Sequence, residues 1–296
     1  MMAVDEYYIF TGGVVPRHVT RVRIDESVTV IPAQAFKGHP NITEVVFHDG
    51  VKKVKDEAFS YCRSLRLVIM PGVEVVGAEA FWGCDALTDV ECGKLEIIGV
   101  CAFGICDSLR SINLPSIKIV EIRAFSGCDA LTNVKFGKEL ESIGSSAFYG
   151  CMSLERITIP LKDGMINDND IFQGCEDMKH VDLVEGAILH ETINALLLEE
   201  WKNDMNEEIA SINQILPTAP AGSVYPDDDD DVGRKAEAIR AWITNVLLNI
   251  VQYKAQHQSY VNEASTTLQL ALPSDIVIKS VLPFLKLPSY TFQGED

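Results

Sequence analysis

A phenylalanine recurs through this chain at an almost fixed interval. Phe36, Phe59, Phe81, Phe103, Phe125, Phe148 and Phe172 are separated by 23, 22, 22, 22, 23 and 24 residues. Ala precedes each of them except Phe172, which follows Ile171. Three residues after each comes His39 and then Cys62, Cys84, Cys106, Cys128, Cys151 and Cys175. Three further stands Leu65, Leu87, Leu109, Leu131, Leu154 or Met178, followed by Val68, Val90, Ile112, Val134, Ile157 or Val181. Each unit reads A-F-x-x-C-x-x-L-x-x-V-x-L, then a turn, then an apolar pair that leads into the next Ala-Phe.

A period of this length restricts the chain to a solenoid. One coil cannot bury its own apolar face, so the coils must stack into a continuous core. The L-x-x-V-x-L segment supplies a short strand with inward residues two apart, and equivalent strands pair in parallel about 4.8 Å apart. Val19, Val22 and Ile24 read as the strand of an incomplete first coil. The last coil is degraded: its turn, Lys162 to Asp170, is polar. A second period of two coils overlies the first. Cys84-Asp85-Ala86-Leu87-Thr88 is repeated as Cys128-Asp129-Ala130-Leu131-Thr132, as if two-coil blocks had been duplicated.

These slots resemble the leucine-rich-repeat family, in its BspA-like class, over about residues 15–186. The resemblance implies a right-handed α/β solenoid of about 7–8 coils, with a parallel sheet on one face and short turns or strands on the other. The class contains many secreted or surface adhesins. The N-terminus here has acidic residues and no basic lead into an apolar stretch, so it does not read as a signal peptide. The chain is closer to intracellular members of unicellular algae, and a cytoplasmic or nuclear location is expected. A surface adhesin remains an alternative.

Charge excludes one class of partner. Forty-three acidic against 25 basic residues give a net charge of −18, which argues against a broad nucleic-acid surface. No apolar run is long enough for a membrane-spanning helix. The column cysteines stand one per coil, without the close pairing of a metal site. They read as small core side chains. Strand spacing alone would permit a disulfide ladder. Cys92 fills a strand slot, and Cys101 lies outside the column.

Between the inward positions, the strand residues point outward and form the candidate partner site: Glu44, Arg66, Leu67, Asp89, Glu91, Arg110, Asn113, Asn133, Lys135, Arg156, His180 and Asp182. Val46, Leu67 and Ile69 make an apolar spot among them. Solenoids commonly bind along such a face. The competing reading is that these residues only pair across strands to stabilise the sheet.

The solenoid is expected over 1–189, with regular coils at about 28–186. A helical region is expected over 190–272. Leu198, Trp201, Met205, Ile209, Ile212 and Ile215 mark a first helix from about His190 to Leu216. An acidic, Pro-rich linker at 217–232 follows, with Asp227 to Asp231 as a solvated run. Ile239, Ile243, Val246, Ile250, Tyr253, His257, Tyr260, Ala264, Thr267 and Ala271 then form a heptad stripe. The two helices suggest an antiparallel hairpin, which either caps the solenoid or forms a coiled-coil arm for a homodimer or a second partner. The tail, 273–296, is hydrophobic. Its L-P-x-D-I-x-x-x-V-L-P-F-L string is loosely similar to the start of an F-box, which would make the chain a substrate-recognition adaptor of a ubiquitin ligase. No phosphate loop, H-E-x-x-H, G-x-S-x-G or EF-hand pattern is present. The expectation is a non-enzymatic scaffold for a protein partner, with no cofactor and no metal.

Overall fold

A computed structural model describes residues 7–184, 193, 196, 198–223 and 233–271. The Asp227–Asp231 run and the F-box-like tail lie outside the described residues. The repeat forms a solenoid with two parallel sheets. The longer strands are β1 (Tyr8–Phe10), β2 (Arg21–Ile24), β4 (Glu44–Val46), β6 (Leu67–Ile69), β8 (Asp89–Glu91), β10 (Ser111–Leu114), β12 (Asn133–Phe136), β14 (Arg156–Ile159) and β15 (His180–Leu183). The opposite side carries two-residue strands: β3 (Val30–Ile31), β5 (Lys53–Val54), β7 (Val75–Val76), β9 (Ile97–Ile98), β11 (Ile119–Val120) and β13 (Ser142–Ile143). These six form one sheet, while the long-strand sheet is interrupted between β8 and β10.

The columns explain the repeat. From Phe36 to Phe172 the rings stack at 4.6–5.6 Å between centroids, with planes within 1–10° of parallel. That spacing follows the strand spacing, and it lets each ring bury both faces in the offset arrangement that aromatic pairs favour. The preceding Ala is fully buried from Ala58 to Ala147 and leaves room for the stack. The Cys slot has a polar task as well as a volume. Each thiol reaches the carbonyl of the Phe in the preceding coil, from Cys62 Sγ to Phe36 O at 2.9 Å through Cys175 Sγ to Phe148 O at 3.1 Å. All eight cysteines are free thiols. Burial pushes Cys62 and Cys175, at the two ends of the column, up to about 12.

His39 performs the same task in the first slot. Its Nε2 donates to Pro16 O at 3.1 Å, and its Nδ1 accepts from the Ile42 and Asn41 amides. Two turn positions per coil are left-handed in the coils of Phe36 to Phe148. The position after the Ala-Phe turn is Gly at 38, 83, 127, 150 and 174, but Tyr61 and Ile105 occupy it in two coils at φ 58° and 53°. The Tyr61 ring lies over Gly83, where a Cβ would approach it to 2.9 Å. A side chain at 83 and the Tyr61 ring thus exclude each other.

Two expectations are corrected. The array begins one strand earlier than the incomplete first coil: β1 pairs with β2, Tyr8 opposite Val22 and Phe10 opposite Ile24. Phe10 ends the ring stack, tilted 50° on Phe36. Helix α1 is Glu199–Ile215, preceded by Leu198 in an extended conformation at φ −106°, ψ 132°; within the expected span from His190, Ile193 is also helical, and 190–192, 194–195 and 197 lie outside the described residues. The second helix, α2, is Lys235–Ala271. Its stripe is buried through Ile250, but at the far end Val261 is buried while Tyr260 is 51% exposed. A straight helix drifts about 20° per heptad from a 3.5-residue repeat, so three heptads rotate the contact line to the neighbouring residue.

α1 and α2 run antiparallel. Trp201, near the start of α1, packs at a tilt against Tyr253 and Tyr260 of α2, while Trp242, near the start of α2, donates to Glu208 O at 2.9 Å. The base of this hairpin closes the end of the solenoid. In interior coils the turn glycine amide donates to the next coil, as Gly150 N does to Gln173 O; Gly174 N finds Ala221 O instead. Asn213 Oδ1 accepts from Val181 N at 2.9 Å on the open edge of β15. Lys235 Nζ donates to Met178 O at 2.7 Å. Burial lowers the Lys235 pKa. The hairpin thereby satisfies edge groups that a further coil would have satisfied.

Candidate functional site

Register fixes the long-strand face as two outward rows. Arg21, Glu44, Leu67 and Asp89 stand abreast, as do Ser111, Asn133, Arg156 and His180. Arg23, Val46, Ile69 and Glu91 form the second row, continued by Asn113, Lys135, Thr158 and Asp182. Thr43, Thr88 and Thr132, just before their strands, turn their hydroxyls onto the preceding coil's carbonyls. These three hydroxyls are part of the ladder; Arg66 and Arg110, in the same row, are exposed.

The two ends of the face are internally paired. Arg21 holds Glu44 through two nitrogens, at 2.9 and 3.2 Å. The Tyr7 ring lies under both Arg21 and Arg23, at 4.3 and 4.7 Å, and its hydroxyl contacts Glu44. Burial acts to raise the Glu44 pKa, but the bonds from Arg21 and Tyr7 outweigh it and hold the carboxyl low. At the other end Arg156 meets Asp182 at 2.6 Å. Glu44, Arg156 and Asp182 are therefore committed to neighbouring strands. Tyr7 was not legible as part of the face, since no repeat slot includes it.

The centre differs. Arg66, Asp89, Glu91, Arg110, Asn113 and Lys135 are exposed. Among the described residues none of these five charged groups makes an ion pair. Asp89 does accept a hydrogen bond from Thr88 at 2.7 Å. Val46, Leu67 and Ile69 lie half-buried beside them. Arg66 and Arg110 are two strands apart, about 10 Å, and border this apolar spot and the Asp89–Glu91 lane. Asn133 and His180 are half-buried further along.

The sheet interruption also falls here. Phe47 and Met70 donate their amides to the next strand's carbonyls, Ile69 O and Glu91 O. At the equivalent Cys92, the contact to Asn113 O comes from the thiol, at 3.8 Å. Among the described residues no three His, Cys, Asp or Glu side chains converge as metal ligands. No described helix is long and apolar enough to cross a membrane.

The model of the BspA type leucine-rich repeat region matches in six copies, over residues 16–119 and 96–200. No curated protein matches the chain. Among solved structures, the T. pallidum leucine-rich repeat protein is 22% identical, over 58% of this chain and 78% of that one, with a TM-score of 0.41. The pneumococcal vaccine antigen PcpA is 18% identical over 61% and 66% of the two chains, with a TM-score of 0.32. A Bacteroides ovatus leucine-rich repeat protein is 21% identical over 57% and 61%, with a TM-score of 0.26. The chain thus spans less than two thirds of the length of the last two.

Proposed function

The chain belongs to the BspA-type leucine-rich-repeat family, and from that premise we propose that it is a non-catalytic scaffold that binds a protein partner on its long-strand face. One observation carries the reading. At the two ends of the face Arg21 pairs with Glu44 and Arg156 with Asp182, and Arg23 lies over the Tyr7 ring, while Arg66, Asp89 and Glu91 beside the apolar spot, and Arg110 and Lys135 further along, make no ion pair among the described residues. Interfaces combine such an apolar centre with a polar surround that sets specificity. A surface stabilised only by its own cross-strand pairs would pair its middle as it pairs its ends. The helical hairpin closes the solenoid, and we assign its far end to a second partner. Eight free cysteines favour a reducing compartment, and the cytoplasm is the location we propose.

The test is quantitative capture from native lysate with the full chain, the variant Arg66→Glu/Arg110→Glu, and a chain ending at residue 271. A saturable partner retained by the shortened chain and lost by the face variant supports the reading. A partner unaffected by the face variant overturns it. Ligase subunits lost only on shortening would favour the adaptor reading, which rests on residues outside the described structure.

A further inference from the structure

We propose that the short-strand sheet of the three central coils, on the side opposite the candidate site, is a homodimer interface. Its outward row runs Val30, Lys53, Val75, Ile97, Ile119, Ser142 in unbroken register. Three residues beyond each stands Ala33, Asp56, Ala78, Val100, Ile122 or Ser145. The coils of Phe81, Phe103 and Phe125 are thus apolar in both rows. Their neighbours carry Lys53 and Asp56 on one side and Ser142 and Ser145 on the other. Val100 and Ile122 are 40% and 48% exposed, and Val75, Ile97 and Ile119 are half-buried. An apolar patch bounded this sharply by polar coils marks an interaction surface.

The charges beside the patch identify the occupant as a second copy of the chain. On one flank Glu79, Cys101 and Arg123 occupy one column, joined by backbone bonds from coil to coil. On the other flank the column is Glu74, Glu96 and Lys118. Each column is acidic in the Phe81 coil and basic in the Phe125 coil. A two-fold axis parallel to the strands, passing over β9, lays the Phe81 coil of one chain on the Phe125 coil of the other. Glu79 then faces Arg123 of the second copy, twice; Glu74 and Lys118 of the second copy also come together, each already paired within its own chain, Glu74 with Lys52 at 2.8 Å and Lys118 with Glu96 at 2.9 Å. Sizes match in the same way: Val75 opposes Ile119, Ala78 opposes Ile122, and Gly77 leaves room for Glu121. An isologous interface requires this antisymmetry about its own centre. Glu96 meets its own copy near the axis, but each Glu96 is already neutralised by Lys118 at 2.9 Å. Cys101 falls on the axis row, where two half-buried thiols face each other.

Sedimentation of the full chain across a concentration series tests this. A reversible dimer is expected, abolished by Ile122→Glu. Glu79→Arg and Arg123→Glu should each weaken it by roughly tenfold or more, through like-charge contacts. The double swap Glu79→Arg/Arg123→Glu re-creates both cross pairs and should restore the wild-type constant. A short bis-maleimide should link the dimer through Cys101 and fail in Cys101→Ser. A chain that stays monomeric, a dimer indifferent to Ile122→Glu, or a double swap no better than its worse single would overturn the proposal.

Discussion

Between Phe36 and Phe172 almost every buried position is answered by the same kind of residue one coil away. α1 and α2 hold one another, and the last coil, through contacts that occur once. The coils are joined by a backbone ladder and by stacked columns of Phe, Ala and Cys. The hairpin base depends on individual groups: Asn213 on the β15 edge, Lys235 on Met178 O and Ala221 O on Gly174 N. Stability in such an array is approximately a sum of coil terms and nearest-neighbour terms. Damage inside a column should therefore be felt by the coils on both sides, and damage to the hairpin base should remain at the end.

The largest effect should come from the middle of the stack. Phe103→Ala removes a ring that is fully buried between Phe81 and Phe125. It should cost about 3–5 kcal/mol in chemical denaturation, the usual range for a buried aromatic. Hydrogen exchange should rise in the neighbouring coils as well. A cost confined to the Phe103 coil would break the comparison from the solenoid side.

Lys235→Ala should cost less, about 1–3 kcal/mol, because it leaves a buried carbonyl without its donor. Its signature should be local. Exchange should rise in α2 and the last coil and stay unchanged from β4 to β12. Faster exchange along the whole array would show that the hairpin and the coils form one cooperative unit.

The smallest effect should be a dependence on pH at the first slot. Burial, outweighing the bond to Pro16, lowers the His39 pKa below its ordinary 6.5. The folded chain therefore favours neutral His39. Its contribution is fully present above about pH 6.5 and is lost as pH falls through the lower folded value. Protonating Nδ1 would also turn a donor toward the Ile42 and Asn41 amides, which that nitrogen accepts from. His39→Cys restores the slot seen in the other coils and should remove this part of the acid sensitivity, measured as denaturation midpoints between pH 7 and the mildly acidic range. An unchanged acid profile in His39→Cys would show that the first slot is not equivalent to the rest.

The same contrast explains what could be read in advance. The solenoid was legible because its columns repeat: Phe, Cys and the two inward strand residues are each visible seven or so times. β1 was not, because Tyr8-Ile9-Phe10 has no Ala-Phe turn after it and no leucine slot before it. The burial of Val261 in place of Tyr260 follows from helix geometry that a heptad pattern alone does not carry. On the strand face, alternation identified which residues point outward. It did not show that Arg21 and Tyr7 occupy Glu44 or that Arg156 occupies Asp182, since pairing depends on side-chain reach across strands. The unpaired centre emerges only once those pairs are removed.

That centre can be tested most directly by residue-level carbene footprinting of the full chain, alone and with its captured partner. The account expects reduced labelling at Arg66, Leu67, Ile69, Asp89, Glu91 and Arg110, with the paired ends around Glu44 and Asp182 less affected. Protection confined to α1 and α2, with the central strand residues labelled as in the free chain, would contradict it.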